Sequence, residues 1–289
     1  MLALTLIVIL WGAVVRATGS GAGCGSHWPT CDGQVLPLSG SREMFIEYTH
    51  RLTSGLALLG TVVLFLAARK GYPARHLVVV AAKAAVVLMV LEALIGAGLV
   101  WFEQVADNRS LSRAVWISVH LTNTLFLLAA LTLVAWWARG APGPVGAIQP
   151  GLRKTLLVGG GGLILVGITG AIAALGDTLF PPESLAEGIR RDLSPAAYLL
   201  ERLRIFHPLV AFGVGAYLFR IAVRLREWVG TPARLLAATV GVQFTLGLAN
   251  LALAAPIWLQ VLHLAVADAV WILFVITAAA AVARQEVLA

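Results

Sequence analysis

Long apolar runs separated by short polar connections dominate this chain of 289 residues. A helix needs about 20 mostly apolar residues to cross the hydrocarbon core of a bilayer, and most of the runs reach that length. The pattern predicts eight transmembrane helices, near residues 2–17, 44–68, 77–102, 114–138, 155–176, 200–222, 234–254 and 258–283. The first run has neither a basic segment before it nor a small-residue cleavage site after it, so we favour a span over a signal peptide there.

The composition agrees with a protein that is solvated by lipid. Hydrophobic residues make up 60% of the chain and charged residues 12%, with a mean hydropathy of +0.90. This leaves too little polar surface for a soluble globule of this size. We therefore expect an all-α integral membrane protein. The net charge of +7 is spread over helix ends without a dense basic run, so we expect no nucleic-acid partner.

The basic residues also predict an orientation. Connections 69–76, 139–154 and 220–234 carry several arginines and lysines but a single acid, Glu227. By the positive-inside rule these connections face the cytoplasm, although the opposite side also carries arginines and the bias is modest. We expect a multi-pass protein of a prokaryotic plasma membrane.

The two halves of the chain resemble each other. A parallel repeat of this kind predicts two pseudo-symmetric four-helix bundles, residues 1–138 and 154–289, joined by a Pro- and Gly-rich cytoplasmic linker, 139–153. Chance similarity could account for the matching glycines, but hardly for four histidines in register. The corresponding positions are Gly12 and Gly170, Glu92 and Gln243, Gly96 and Gly247, His50 and His207, and His120 and His263.

Histidines are the main candidates for chemistry. His50, His120, His207 and His263 lie one in each even-numbered span, all near the predicted outer end. A single histidine in a span is as often a hydrogen-bonded packing residue as a ligand, but a repeated pattern favours function. Two imidazoles from different helices of a four-helix bundle can bind a haem iron from both faces. Zinc is less suitable, because neither cysteine nor a second carboxylate joins the histidines at this depth.

The two predicted sites differ in charge. Glu47 precedes His50 by three residues, so both side chains lie on one helix face, whereas the counterpart of Glu47 in the second half is Arg204. A haem propionate could pair with that cation. Glu47 could instead be an interfacial acid that the helix N-terminus favours. For Glu92, inside the third span, we favour a hydrogen bond to a neighbouring helix over a proton path.

Two arginines and two cysteines surround the first site. Arg16 and Arg51 lie at the outer boundary, where they could bind haem propionates or lipid headgroups. Cys24 and Cys31 share the first outer loop. On the oxidising side of the membrane such a pair is expected to form a disulfide, although a redox role stays open.

A known family carries the same motifs. The chain resembles the amino-terminal half of heme A synthase in the segment 12–21 (GAVVRATGSG) and, after it, in Cys24, Trp28-Pro29, Cys31, Gly33 and the helical run 47–51 (EYTHR). The resemblance extends more weakly through His120, His207 and His263. Glu92 departs from the pattern, because glutamine is expected there.

The resemblance implies an activity. Heme A synthases are eight-span enzymes that oxidise a ring methyl group of heme O to a formyl group, which gives heme A for terminal oxidases. By resemblance, His50 and His120 hold the substrate heme O, with Glu47 catalytic. His207 and His263 would bind a heme b cofactor. An enzyme that makes heme O and an electron donor or acceptor are the expected partners, and the oligomeric state stays open.

A non-enzymatic protein is the main alternative. A diheme b-type membrane cytochrome or a haem-handling chaperone would also bind haem through histidine pairs. The carboxylate beside one pair only favours the enzyme, because a pure electron carrier has no evident need for that asymmetry.

Overall fold

The computed structural model describes residues 1–144 and 146–284. Within these ranges the chain is helical and forms no β-sheet, apart from an isolated β-bridge between Cys31 and Gln34. This confirms the all-α prediction. The helices are α1 (Leu2–Ala17), α2 (Arg42–Gly71), α3 (Leu77–Trp101), α4 (Leu111–Ala138), α5 (Pro150–Leu179), α6 (Leu185–Asp192), α7 (Leu199–Leu203), α8 (Phe206–Val229), α9 (Thr231–Ala252) and α10 (Ile257–Arg284).

The described residues contain seven helical segments that are long and apolar enough to cross a membrane. They are α2 to α5, the run Leu199–Val229 that joins α7 and α8, α9 and α10, and they overlap the second to eighth predicted spans. Helix α1 is apolar but has only 16 residues, which is short for a span. The protein is therefore a multi-pass membrane protein, and an eighth span stays a prediction.

Local sequence explains where the helices begin. The hydroxyl of Ser41 accepts a hydrogen bond from the backbone N–H of Met44, and that of Ser110 accepts one from Arg113, both at 3.2 Å. These caps satisfy N–H groups that a helix N-terminus leaves without partners. Pro150 starts α5 inside the predicted linker 139–153, because proline is well tolerated in the first helical turn.

The two halves share one core. Helices α1 and α4 of the first half pack against α5 and α10 of the second. Leu125 and Leu128 on α4 belong to the same buried cluster as Leu218 on α8 and Trp271 on α10. The indole N–H of Trp271 donates to the carbonyl oxygen of Leu125 at 2.7 Å. The seam between the halves is therefore a packed interior.

Four connections, 18–41, 102–110, 180–198 and 253–256, lie at one end of the helices, which we call the loop end. A disulfide joins Cys24 to Cys31 with a Cα–Cα distance of 4.4 Å, as predicted. The short helix α6 was not expected from the sequence. Arg109, in the second connection, lies over the rings of Phe180 and Tyr198 at 5.1 and 5.6 Å, so loops of the two halves touch.

Candidate functional site

The structure brings the four histidines to one region. His50 on α2, His120 on α4, His207 on α8 and His263 on α10 all lie within about three turns of the loop end. Each histidine helix packs against a neighbouring helix that carries a glycine close to the imidazole.

The two imidazoles of the second pair, His207 and His263, lie close together. The ring centroids of His207 and His263 are 6.4 Å apart, with the rings nearly perpendicular at 89°. Two imidazoles at this separation are close enough to bind one metal ion through bonds of about 2 Å. Thr169 Oγ1 lies 3.2 Å from His207 Nδ1, which leaves Nε2 of that ring for a ligand. Gln243 Nε2 lies 3.2 Å from His263 Nε2, and Nδ1 of His263 is buried without a hydrogen-bond partner among the described residues.

The first pair is supported by a carboxylate network. His50 Nδ1 is buried and has no hydrogen-bond partner in the described part of the chain. His120 Nδ1 lies 3.3 Å from Glu92 Oε1, at ion-pair distance but without hydrogen-bond geometry. Glu92 also accepts hydrogen bonds from Asn123 Nδ2, at 2.5 Å, and from the hydroxyl of Thr124. Both donors lie on α4, so the predicted hydrogen bond of Glu92 to a neighbouring helix is confirmed.

Glycines on neighbouring helices make room for the imidazoles. A Cβ atom at Gly12 would lie 2.9 Å from Cε1 of His50, and one at Gly170 would lie 3.0 Å from Cε1 of His207. The same helix-to-helix contact therefore recurs at positions that the sequence repeat aligns. A looser contact recurs in the same way, with Cβ distances of 3.8 and 3.4 Å to Cε1, between Gly96 and His120 and between Gly247 and His263.

Glu47 is buried between its helix and the cysteine loop. Its Oε2 accepts a hydrogen bond from the backbone N–H of Cys24 at 2.9 Å. Its Oε1 pairs with the Arg51 guanidinium, whose Nε lies 3.1 Å away. Arg51 Nη1 donates to the carbonyl oxygens of His27 and Thr30 at 2.5 and 2.6 Å. Arg51 therefore fixes the carboxylate beside the first pair and holds the loop over it.

Arg204, the counterpart of Glu47, is occupied by protein carboxylates. Its guanidinium pairs with Asp192 at 2.5 Å and with Asp177 at 3.2 Å, and it donates to the carbonyl oxygen of Phe180 at 3.0 Å. The suggested pairing of Arg204 with a haem propionate is therefore not needed to neutralise this cation. The residue instead ties the helix α6 region to α5 and α7.

Arg16, which the sequence groups with the first site, points toward the second half. Its Nη1 donates to the carbonyl oxygen of Ala174 at 2.6 Å and to Thr178 Oγ1 at 2.5 Å. Its Nη2 donates to Gln260 Oε1 at 2.8 Å. Because α1 lies at the seam between the halves, a residue at its end can reach α5 and α10.

One buried acid escaped the sequence analysis. Asp268 on α10 is 2% exposed, and its Oδ2 has no hydrogen-bond partner among the described residues. An isolated acid in the middle of an apolar run is the pattern that could have revealed it. Nothing in the sequence around Gln260 indicates that this residue binds Arg16.

Comparison with known proteins identifies the family. A family model described as cytochrome oxidase assembly protein matches residues 1–275. The chain belongs to this family. The match covers both histidine pairs and the cysteine loop, so the resemblance seen in the sequence is confirmed.

Individual relatives carry two different names. The chain is 48% identical over 289 residues to a protoheme IX farnesyltransferase of Thermus thermophilus, which covers 96% of this chain and 47% of that protein. It is 40% identical over 131 residues to a heme A synthase of Alkalihalophilus pseudofirmus, which covers 45% of this chain and 41% of that protein. A heme A synthase of Bacillus cereus is 42% identical over 130 residues, covering 45% of this chain and 39% of that enzyme. The chain spans about half or less of the length of these curated relatives.

Proposed function

We propose that this protein is a heme A synthase, which oxidises a ring methyl group of heme O to a formyl group. The observation that carries the proposal is an asymmetry between two similar sites. Both halves hold a histidine pair against glycines, but only the first has an arginine-fixed carboxylate, Glu47, three residues from its histidine, His50. A purely electron-carrying protein has no evident need for this difference.

The family match and the heme A synthases among the relatives support this assignment. The Thermus relative supports it in another way, because its name describes the attachment of a farnesyl group to protoheme IX. That reaction gives a farnesylated haem, the class of substrate that we propose here. An enzyme that makes heme O is therefore a fitting partner, together with an electron donor or acceptor.

In this proposal the first pair, His50 and His120, holds heme O as the substrate. The buried Nδ1 atom of His50 lacks a hydrogen-bond partner among the described residues, which is consistent with a group arranged for a ligand. Glu92 orients His120 through its contact with Nδ1 at 3.3 Å. Ring orientation by a hydrogen-bonding neighbour is common for metal-bound histidines.

The second pair, His207 and His263, would hold heme b. The ring centroids of the two imidazoles are 6.4 Å apart, so both rings could bind one iron. An iron with two histidine ligands has no open position, so heme b would supply one-electron transfer rather than oxygen binding. Thr169 and Gln243 would set the orientation of the two rings.

Glu47 is the proposed catalytic residue. Transfer of two electrons from the ring methyl group to the electron acceptor leaves positive charge on the carbon and releases a proton, and the formyl oxygen would come from water or dioxygen. A carboxylate beside the substrate can accept a proton or stabilise that charge. Arg51 would act as a positioning residue, because Nε and Nη2 bind Glu47 and Nη1 binds loop carbonyls. Arg51 has one N–H group left, on Nη2. We propose that this group binds a propionate of heme O.

We further propose that α1 is an eighth span and that the chain forms two pseudo-symmetric bundles, residues 1–138 and 154–289, joined by the linker 139–153. In a plasma membrane, the basic connections would face the cytoplasm and the loop end the outside. The haem sites would then lie toward the outer face. The disulfide at the loop end supports this orientation, because disulfides persist on the oxidising side.

Extraction of haems from cells tests the proposal. The chain is expressed in a host that makes heme O but no heme A, and the extracted haems are separated and identified by mass and absorbance. The proposal predicts a formyl haem that is absent from cells with the empty vector. Bound haem without any formyl product would favour the non-enzymatic cytochrome or the haem chaperone.

A further inference from the structure

The guanidinium of Arg16 binds residues on α5 and α10, which belong to the second half, although Arg16 itself belongs to the first. On α5, its partner Ala174 lies one turn beyond the glycine that packs on His207. On α10, its partner Gln260 lies three residues before His263. Arg16 therefore lies about one turn nearer to the loop end than the pair.

The described residues compensate the charge of Arg16 only in part. Its three hydrogen bonds go to uncharged oxygen atoms, and no carboxylate in the described ranges forms an ion pair with it. Asp177, on the same face of α5 as Ala174 and Thr178, attracts Arg16 electrostatically but forms its ion pair with Arg204. An arginine has five N–H donors, so Nε–H and one N–H of Nη2 stay available. A cation held inside a membrane protein is expected to have an anionic partner.

We propose that Arg16 binds a propionate carboxylate of the haem held by His207 and His263. A residue of the first half would thus complete the site of the second. Arginine binds carboxylates through parallel N–H donors, and its planar group keeps them in place. The inference relies on one part of the proposed function, namely that a haem occupies this pair, and it does not require oxidation of heme O.

Esterified haem provides a direct test. A His120→Ala background removes the first site, and the purified protein is titrated with protohaem and with protohaem dimethyl ester, which lacks the carboxylate charge. With Arg16 present, we expect protohaem to bind about tenfold or more tightly than the ester, the range for a charged hydrogen bond. Arg16→Met should bring the two affinities close together. Thr178→Val removes one neutral partner of Arg16 and should preserve the preference, as a matched control.

Redox titration gives a second measurement on the same samples. Loss of a cation beside the haem favours the oxidised iron, so Arg16→Met should lower the midpoint potential. A tenfold fall in the reduced-to-oxidised ratio corresponds to 59 mV for one electron. Arg16→Lys keeps the charge and should stay closer to the parent protein. If the methionine variant does not fold, Arg16→Gln, which is neutral but can still form hydrogen bonds, replaces it in both measurements.

Two results would overturn the inference. One is an unchanged preference for protohaem over its ester after Arg16→Met, or after the neutral Arg16→Gln if the methionine variant does not fold. The other is an Arg16 effect that appears only when His120 is intact and His207 is replaced by alanine, which would assign Arg16 to the first site. An Arg16-dependent preference in a protein that makes no formyl haem would contradict the heme A synthase proposal and leave this inference standing.

Discussion

At the scale of single residues, Glu47 combines two roles that must be separated. Its carboxylate lies next to the first histidine pair, and it also accepts the Cys24 N–H and binds Arg51, which holds the cysteine loop. A change at Glu47 can therefore affect chemistry, loop anchoring or both. Glu92 offers a comparison, because it is a second carboxylate near the same histidine pair. The second half has Gln243 at the aligned position.

Glu47→Gln should leave heme O bound and lower formation of heme A by about 10²–10⁴-fold, the range for loss of general acid–base help. Glutamine can still accept the Cys24 N–H, but it loses the charge. Glu92→Gln should stay near the parent rate, since an amide oxygen can still accept a hydrogen bond from Asn123 or Thr124. The heme A to heme O ratio, normalised to bound haem, measures both variants.

Near-normal heme A production by a fully loaded Glu47→Gln protein would remove Glu47 from the chemistry. A large loss in Glu92→Gln, with haem content intact, would instead point to Glu92 as the reactive carboxylate.

At the scale of helix pairs, glycine–histidine contacts define each site. Gly12 on α1 and Gly170 on α5 leave space that a methyl group would remove, at 2.9 and 3.0 Å from imidazole atoms. A closely packed interior has few voids that could absorb an added methyl group. The neighbouring imidazole must therefore change its orientation. Each contact should therefore control one haem and not the other.

Gly12→Ala should lower heme O binding, and Gly170→Ala should lower binding of the resident haem, each at least several-fold and each without affecting the other site. Gly55→Ala on α2 and Gly213→Ala on α8 are matched controls, because a Cβ at either position meets nothing within 4 Å. Haem-to-protein ratios and absorbance spectra of the purified variants measure the effect. If either variant lost haem equally from both sites, the two glycine–histidine contacts would not act independently.

The cysteine loop, residues 18–41, is the second element whose role can be tested. Cys24 and Cys31 are bonded and fully buried, and Arg51 binds two carbonyl oxygens of the same loop. In membranes, a thiol reagent should label neither cysteine until reductant is added. Arg51→Met should increase the rate of labelling in the presence of reductant, because it frees the loop. Equal labelling with and without reductant would show free thiols.

At the scale of the whole molecule, apolar length was sufficient to predict the seven membrane-length helices among the described residues, while the two haem-binding pairs stay predictions from the histidine pattern. Contacts across the seam were not predictable, because nothing in the local sequence near Arg16 indicates that its partners are Thr178 and Gln260. Helix α6 was missed for a related reason: an eight-residue amphipathic helix has no membrane-length pattern. Asp268 was overlooked, although its position in an apolar run was visible.

The arrangement as a whole is a pair of similar histidine pairs joined by one core, with Glu47 and Glu92 near the first pair and Arg204 and Gln243 at the aligned positions of the second. The most direct test uses purified protein loaded with heme O in the presence of dioxygen, water and a one-electron mediator. The extracted haems are then identified by mass. The account predicts a formyl haem whose formation requires both His120 and His207, since the first holds the substrate and the second the relay. Recovery of heme O alone, from protein whose spectrum shows heme O bound through His120, would contradict it.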